Sequence, residues 1–130
     1  MDNMEITFPG DKKVNAVFHG FEIATDQPVQ AGGGGQAPTP FDLFLASLGT
    51  CAGIFVLGFI QSRGLSTEGL KIILSMDWDQ TAHLAKKIHF KIMLPKDFPS
   101  KYKEAVIKAA GQCLVKRHMQ NPPEFEITAQ

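Results

Sequence analysis

Arginine is scarce in this sequence of 130 residues: Arg63 and Arg117 are the only two. The 13 basic residues are balanced by 13 acidic residues, so the formal net charge is zero. A nucleic-acid-binding surface requires a basic excess on one face of the protein. We therefore expect no nucleic-acid partner.

Cysteine is equally rare, with only Cys51 and Cys113. The N-terminal stretch MDNMEITF lacks the basic region and apolar run of a signal peptide, so we expect a cytoplasmic protein. Thiols stay reduced in the cytoplasm, where a cysteine pair is more often catalytic, redox-active or metal-binding than a structural disulfide.

Signatures of common cofactors are missing as well. The sequence contains no CxxC or HExxH motif, and its four histidines show no paired ligand spacing, so we expect no metal site. The glycine run at residues 32–35 is not followed by Lys-Ser or Lys-Thr, which excludes a phosphate-binding loop of the usual kind. No metal, flavin or nucleotide cofactor is predicted.

The length suits one domain, residues 1–130. Alternating apolar residues predict strands, and helical spacing predicts two helices, which gives an α+β fold of order βββ-α-ββ-α-β. The predicted elements are strands at Met4–Phe8, Val14–Phe18 and Phe21–Thr25, a loop at Gln27–Pro38, a helix from Pro40 to about Arg63, strands at Leu70–Asp79 and Lys86–Leu94, a helix from Lys101 to about His118, and a strand at Glu124–Thr128.

The start and end of the first helix carry specific signals. Thr39 suits the N-cap, Pro40 the first helical position and Asp42 the acidic position of a capping box. Gly64 suits the C-terminal stop. Asp42 is therefore expected to act first as a helix cap rather than as a catalytic acid.

The same helix contains an uncharged run of 18 residues, Leu43–Ile60, at the lower limit for a membrane span. The run contains three glycines, lacks flanking basic asymmetry and has no interfacial tryptophan or tyrosine, so we expect a buried core helix and no membrane partner. A domain this small rarely surrounds a six-turn helix, which suggests that a second subunit completes its burial.

The stretch PFDLFLASLGTC, residues 40–51, resembles the first cysteine motif of the OsmC/Ohr family, the osmotically induced and organic-hydroperoxide-resistance proteins. The stretch AAGQC, which ends at Cys113, follows at the spacing of the second motif. The resemblance covers essentially the whole chain. It implies an intertwined α+β homodimer with a long buried central helix and thiols at the subunit interface.

For the chemistry, the resemblance implies a two-cysteine peroxidase of the redox stress response. Cys51 attacks an organic hydroperoxide, Cys113 resolves the product, and an external dithiol reduces both. The sequence nevertheless resembles a divergent member of the family. Lys12 and Lys13 stand near the hairpin turn where the peroxidases carry arginine, and Phe41 stands where they carry glutamate.

Activation of Cys51 is therefore the open question at this stage. It lies about three turns into its helix, too far for the helix dipole to act on it. We expect a positive charge from another part of the protein, with Lys12, Lys13 and Arg117 as candidate supporting residues. The acid Asp42, next to Phe41, is a further candidate supporting residue. Two readings stay open: a cysteine-based peroxidase, which we favour, or a non-catalytic OsmC-like dimer that binds an apolar small molecule or senses redox state. In isolation, Cys51 would be only a small buried apolar residue.

Overall fold

The structure, a computed structural model, describes residues 3–130 and has the expected α+β composition. The chain divides into two compact units, Met1–Leu45 and Ala46–Gln130. The assignment of residues 1–130 to one domain stays a prediction.

Three strands form the sheet of the first unit: β1 (Glu5–Gly10), β2 (Lys13–Phe18) and β3 (Phe21–Thr25). They are antiparallel in the order β1-β2-β3, which confirms the predicted meander. Phe18 pairs with Phe21 across a two-residue turn in which His19 and Gly20 both have positive φ, 50° and 78°. Such a turn matches the twist of the strands that it joins.

The glycine-rich segment after β3 folds around a buried carboxylate. Asp26 is 1% exposed. Its Oδ1 accepts hydrogen bonds from the amides of Gln27 (2.7 Å) and Gly34 (3.4 Å), and its Oδ2 accepts one from the amide of Gln36 (3.2 Å). These bonds lower the pKa of Asp26, and the charge of Lys13 adds a smaller effect in the same direction. The loop is therefore organised by one anion.

Helix α1 spans Pro40–Ser62 and begins as predicted. The Thr39 amide donates to Asp42 Oδ2 (2.9 Å), and the Asp42 amide donates to Thr39 Oγ1 (3.1 Å), which completes a capping box. At the other end, Gly64 has a φ of 63° and the Leu65 amide donates to the Ile60 carbonyl (3.1 Å). This is the predicted glycine stop.

One stripe of α1 is buried: Leu48, Ala52, Val56 and Ile60, each four residues from the next. Elsewhere on the helix, Ile54 is 60% exposed in the single chain. By length and composition alone α1 is also long and apolar enough to cross a membrane, a test that the core helix of a soluble protein passes as well. The absence of a membrane partner stays a prediction.

Apolar residues from other elements of the second unit pack against the Val56 and Ile60 end of that stripe. Strands β4 (Lys71–Asp79) and β5 (Leu84–Met93) form the predicted antiparallel hairpin, and helices α2 (Lys103–Ala110) and α3 (Leu114–Gln120) follow. A short 3-10 turn, Ser100–Tyr102, precedes α2. One buried cluster consists of Val56, Ile60 and Val106, with partly buried apolar residues around it, among them Ile72 and Ile92 of the hairpin.

Two predicted elements are wrong. The single second helix, Lys101 to about His118, is split into α2 and α3 because glycine at 111 favours helix poorly and Cys113 adopts an extended ψ of 124°. The last strand, Glu124–Thr128, is not formed in the described chain. Within residues 3–130 no strand pairs with this segment, and Ile127 is 94% exposed.

Candidate functional site

Cys51 lies on α1, next to the buried stripe, and is half-buried as a free thiol. The backbone amide of Leu114, the first residue of α3, donates to Cys51 Sγ at 3.2 Å. The bond joins residues 63 positions apart in sequence. The start of α3 therefore forms part of the surroundings of Cys51.

Cys113 is the N-cap of α3 and is only 2% exposed. Its sulfur accepts a hydrogen bond from the Lys116 amide at 3.3 Å, which is the geometry of a side-chain cap. The Cys113 thiol lies 4.0 Å from the Leu48 carbonyl oxygen, to which it donates. The amide that contacts Cys51 belongs to Leu114, the residue next to Cys113. The two cysteines thus lie side by side, both reduced.

The surroundings shift the pKa values of the two thiols in opposite directions. Hydrogen bonds from the Val115 amide, the Cys113 side chain and the Leu114 amide, in falling order, lower the pKa of Cys51 and outweigh the effect of burial. Burial raises the pKa of Cys113, and its interactions with Cys51 raise it further. As pH rises, Cys51 therefore loses its proton first, while Cys113 keeps a proton that it can donate.

The expectation that a cation activates Cys51 stays a prediction. No charged side chain of residues 3–130 contributes to the lowered pKa, which comes from backbone amides and a neighbouring thiol. A sulfur anion accepts hydrogen bonds from such donors, and bonds to the charged form favour ionisation. Within the described chain, the amides at the start of α3 are therefore a main cause of the lowered pKa of Cys51.

The other candidate residues lie in different places. Asp42 is engaged in the capping box at the start of α1. Lys12 and Lys13 belong to the first unit, at the β1–β2 turn and the start of β2, where Lys13 acts on Asp26. Arg117 is an exposed residue of α3 whose amide donates to the Cys113 carbonyl at 3.1 Å. The roles suggested for these four residues stay predictions.

Leu114 and Val115 escaped the sequence analysis because they act through backbone N–H groups, which every residue except proline carries. A signal was present in Gly111, two residues before Cys113, since glycine weakens a helix interior. Among residues 3–130, no group of three histidine, cysteine or acidic side chains lies close enough together to ligate a metal ion.

The sequence profile of a protein family described as OsmC-like protein matches residues 33–128, which include both cysteines. No curated protein is significantly similar to the chain in sequence.

Solved structures are similar in fold. A protein from Psychrobacter arcticus 273-4, described provisionally as an osmotic stress induced and detoxification response protein, has a TM-score of 0.77 at 23% identity over 90% of this chain and 87% of that chain. The OsmC-like protein of Mycoplasma pneumoniae has a TM-score of 0.66 at 15% identity over 92% and 87% of the two chains.

A Legionella pneumophila protein is described as an organic hydroperoxide resistance protein OsmC, a predicted redox protein and a regulator of sulfide bond formation. Its TM-score is 0.59 at 16% identity, over 91% of this chain and 88% of that chain. At these identities the similarity is one of fold.

Proposed function

Because the chain belongs to the family of OsmC-like proteins, we propose that it reduces organic hydroperoxides with Cys51 as the attacking thiol and Cys113 as the resolving thiol. The observation that carries the proposal is the pairing of two reduced cysteines whose pKa values are shifted in opposite directions. An attacking thiol must ionise easily. A resolving thiol is needed only after the first step.

The first step transfers oxygen to sulfur. The Cys51 thiolate attacks the terminal oxygen of the hydroperoxide, so an S–O bond forms and the O–O bond breaks. The leaving alkoxide takes a proton from solvent and departs as an alcohol. The sulfur of Cys51 is oxidised to a sulfenic acid, and the peroxide is reduced by two electrons.

The second step uses the neighbouring thiol. Cys113 loses its proton and attacks the sulfur of Cys51, which forms the S–S bond and releases the sulfenic oxygen as water. The amide of Leu114, the residue after Cys113, donates to Cys51 Sγ at 3.2 Å, which supports an approach of the two sulfurs. An external dithiol then reduces the disulfide by thiol–disulfide exchange and is itself oxidised.

A homodimer and a cytoplasmic location belong to the same proposal. The exposed residues Ile54 and Phe55 on α1, together with the exposed Phe125 and Ile127 near the C-terminus, provide apolar surface for a second copy. A reducing compartment would return the cysteines to the thiol form after each reaction.

The test is the intact mass of the reduced protein after one equivalent of cumene hydroperoxide, with no other reductant. We expect loss of two hydrogen atoms in the natural protein and no change in Cys51→Ser. Cys113→Ser should instead gain one oxygen, in a form that dimedone traps. If the natural protein keeps its mass over many minutes, hydroperoxide reduction is excluded.

The alternative, a sensing thiol without turnover, has one observation in its favour. The lowered pKa of Cys51 involves no charged side chain of the described residues, whereas efficient peroxidases of the family carry an arginine. Repeated addition of hydroperoxide with excess dithiothreitol separates the two. An enzyme consumes many equivalents of peroxide, while a sensor is oxidised at a rate too slow for sustained consumption.

A further inference from the structure

A cavity of about 500 Å³ lies within the second unit, between β5, α2 and α3. Its volume is in the range of small-molecule sites, about 300–1,000 Å³. Cys113 forms part of its wall, whereas Cys51 is not among its lining residues. The cavity is therefore distinct from the surroundings of the attacking thiol, although it reaches the resolving one.

Most of the wall is apolar, and its only charges are positive. The charged lining residues are Lys91, Lys103 and Lys116, and the lining includes no aspartate or glutamate. The principal apolar lining residues are Ile88, Phe90, Ile92, Leu94, Val106 and Ile107. Such a wall favours a ligand that combines an apolar body with a negative charge.

A second cavity of about 360 Å³ continues this surface along β5. The two cavities share Ile88, Phe90 and Lys116, and the second adds Lys86 and Lys87, again without any carboxylate in its lining. Because both linings include the same side chains, the cavities adjoin each other. Together they give an elongated apolar groove bordered by lysines.

Lys116 occupies the central position in this groove. It is half-buried, whereas Lys91 and Lys103 are exposed, and it lines both cavities. A lysine stem packs well along apolar surface while its ammonium group stays in contact with water, where it can meet an anion. Neither lining supplies a carboxylate that would compete with a bound anion for this group.

We propose that the groove binds a medium-chain alkyl carboxylate, with the carboxylate at Lys116 and the chain along Ile88, Phe90 and Ile107. The chain matches the elongated apolar wall, and its single charge matches the lysines. A cationic amphiphile would be repelled by the same lysines. This binding site is additional to hydroperoxide reduction and does not require it.

One consequence concerns the two thiols separately. Since Cys113 forms part of the cavity wall and Cys51 does not, a bound alkyl carboxylate shields Cys113 from small reagents. It leaves access to Cys51 unchanged. The relative alkylation rates of the two cysteines thus report occupancy without any measurement of peroxidase activity.

The test is a ¹H–¹⁵N NMR titration of the reduced protein with decanoate, with decyltrimethylammonium as the ligand of opposite charge. We expect saturable shifts of amide signals from β5, α2 and α3 with decanoate and none with decyltrimethylammonium. Lys116→Gln should weaken decanoate binding, whereas Lys96→Gln, at an exposed lysine outside both linings, should not.

A matched pair at one position sharpens the test. Ile107 is 57% exposed, so a charged side chain is tolerated there. Ile107→Glu should weaken decanoate binding by at least about tenfold, and Ile107→Lys, which also removes the apolar side chain but adds positive charge, should bind more tightly than Ile107→Glu by a similar factor.

Three outcomes would overturn the proposal: equal binding of decyltrimethylammonium, equal affinity of the Ile107→Glu and Ile107→Lys proteins, or signals of β5 and α2 that shift with protein concentration alone. The last outcome would mean that a second copy fills the groove. Cys51→Ser should bind decanoate like the natural protein. Loss of peroxide reactivity and loss of ligand binding are therefore distinguishable.

Discussion

Asp26 in the first unit and Cys51 in the second both accept hydrogen bonds from backbone amides, but from different sources. The amides at Asp26 come from its own loop, at most 10 residues away. The amide at Cys51 comes from α3, 63 residues away. Both arrangements lower a pKa, yet one fixes a loop and the other prepares a thiol.

The difference follows from the protonation state of each group near neutral pH. A carboxyl group is already ionised, so further stabilisation of its anion serves only to order the surrounding chain. A thiol is mostly protonated, so the same kind of donor changes its reactivity. Local donors thus suit a structural anion. Donors from a distant element make the thiolate depend on the complete fold of the second unit.

The largest effect is expected from Gly33→Ala, which breaks the loop around Asp26. A Cβ at Gly33 would lie 2.0 Å from the carbonyl oxygen of Gln27, so the backbone must shift. We expect a loss of about 2–4 kcal/mol in the free energy of unfolding, measured by urea denaturation.

Gly58→Ala is the matched control, because a Cβ there meets nothing within 4 Å and the residue lies within α1. This change should stabilise the protein by up to about 1 kcal/mol. Equal effects of the two substitutions would show that the loop is not packed as described.

Leu114→Pro changes the surroundings of Cys51 and should produce an effect of intermediate size. Proline removes the amide that donates to Cys51 but fits the first position of a helix. The extended ψ of 124° at Cys113 also suits a residue before proline. We expect Cys51 to react with iodoacetamide near pH 7 about tenfold more slowly.

Leu114→Ala retains the amide and should leave that rate nearly unchanged. The measurement is the rate of alkylation of Cys51, followed by peptide mass spectrometry, with circular dichroism to establish that α1 and the sheets remain folded. A folded Leu114→Pro protein with an unaltered rate would remove Leu114 from the account of activation.

The smallest effect concerns the pH dependence of stability. Cys51 has a lowered pKa, so its contribution is complete above the unfolded value of about 8.5 and is lost as pH falls through the folded pKa. Cys113 has a raised pKa, so its contribution is complete below about 8.5 and is lost as pH rises through the folded pKa.

The two contributions oppose each other in the natural protein and are separated by single substitutions. Between about pH 6 and pH 9, the urea midpoint of reduced Cys113→Ser should rise relative to that of Cys51→Ser. Parallel curves would mean that the two thiols ionise alike. Asp26 does not interfere, because its lowered pKa places its contribution to the pH dependence in the acid range.

Local signals in the sequence predicted much of the fold. The alternation in the strands, the Thr39–Asp42 capping box and the Gly64 stop all depend on contacts between near neighbours, and the structure contains each of them. The break between α2 and α3 was missed because Val106, Ala110 and Cys113 continue a helical spacing across Gly111. The segment Glu124–Thr128 alternates like a strand, but pairing depends on a neighbour that sequence does not reveal.

The candidate site was predictable only in part. The cysteines are residue types with recognisable chemistry, and the structure places them together. The donors that prepare Cys51 are backbone groups, and they are brought to it by the break that the sequence analysis missed. Candidates chosen for their charge, such as Lys12 and Arg117, could not reveal backbone donors, and their own roles stay predictions.

The uncharged character of those donors has a consequence for the conditions in which the thiol works. Dissolved ions screen attraction between charged groups, over a Debye length of about 8 Å at physiological ionic strength. A thiolate held by an arginine or lysine near solvent would lose part of its stabilisation as salt accumulates. Amide and thiol hydrogen bonds within the folded chain are direct contacts that mobile ions do not enter. We therefore expect the ionisation of Cys51 to stay nearly constant from dilute buffer to concentrated salt.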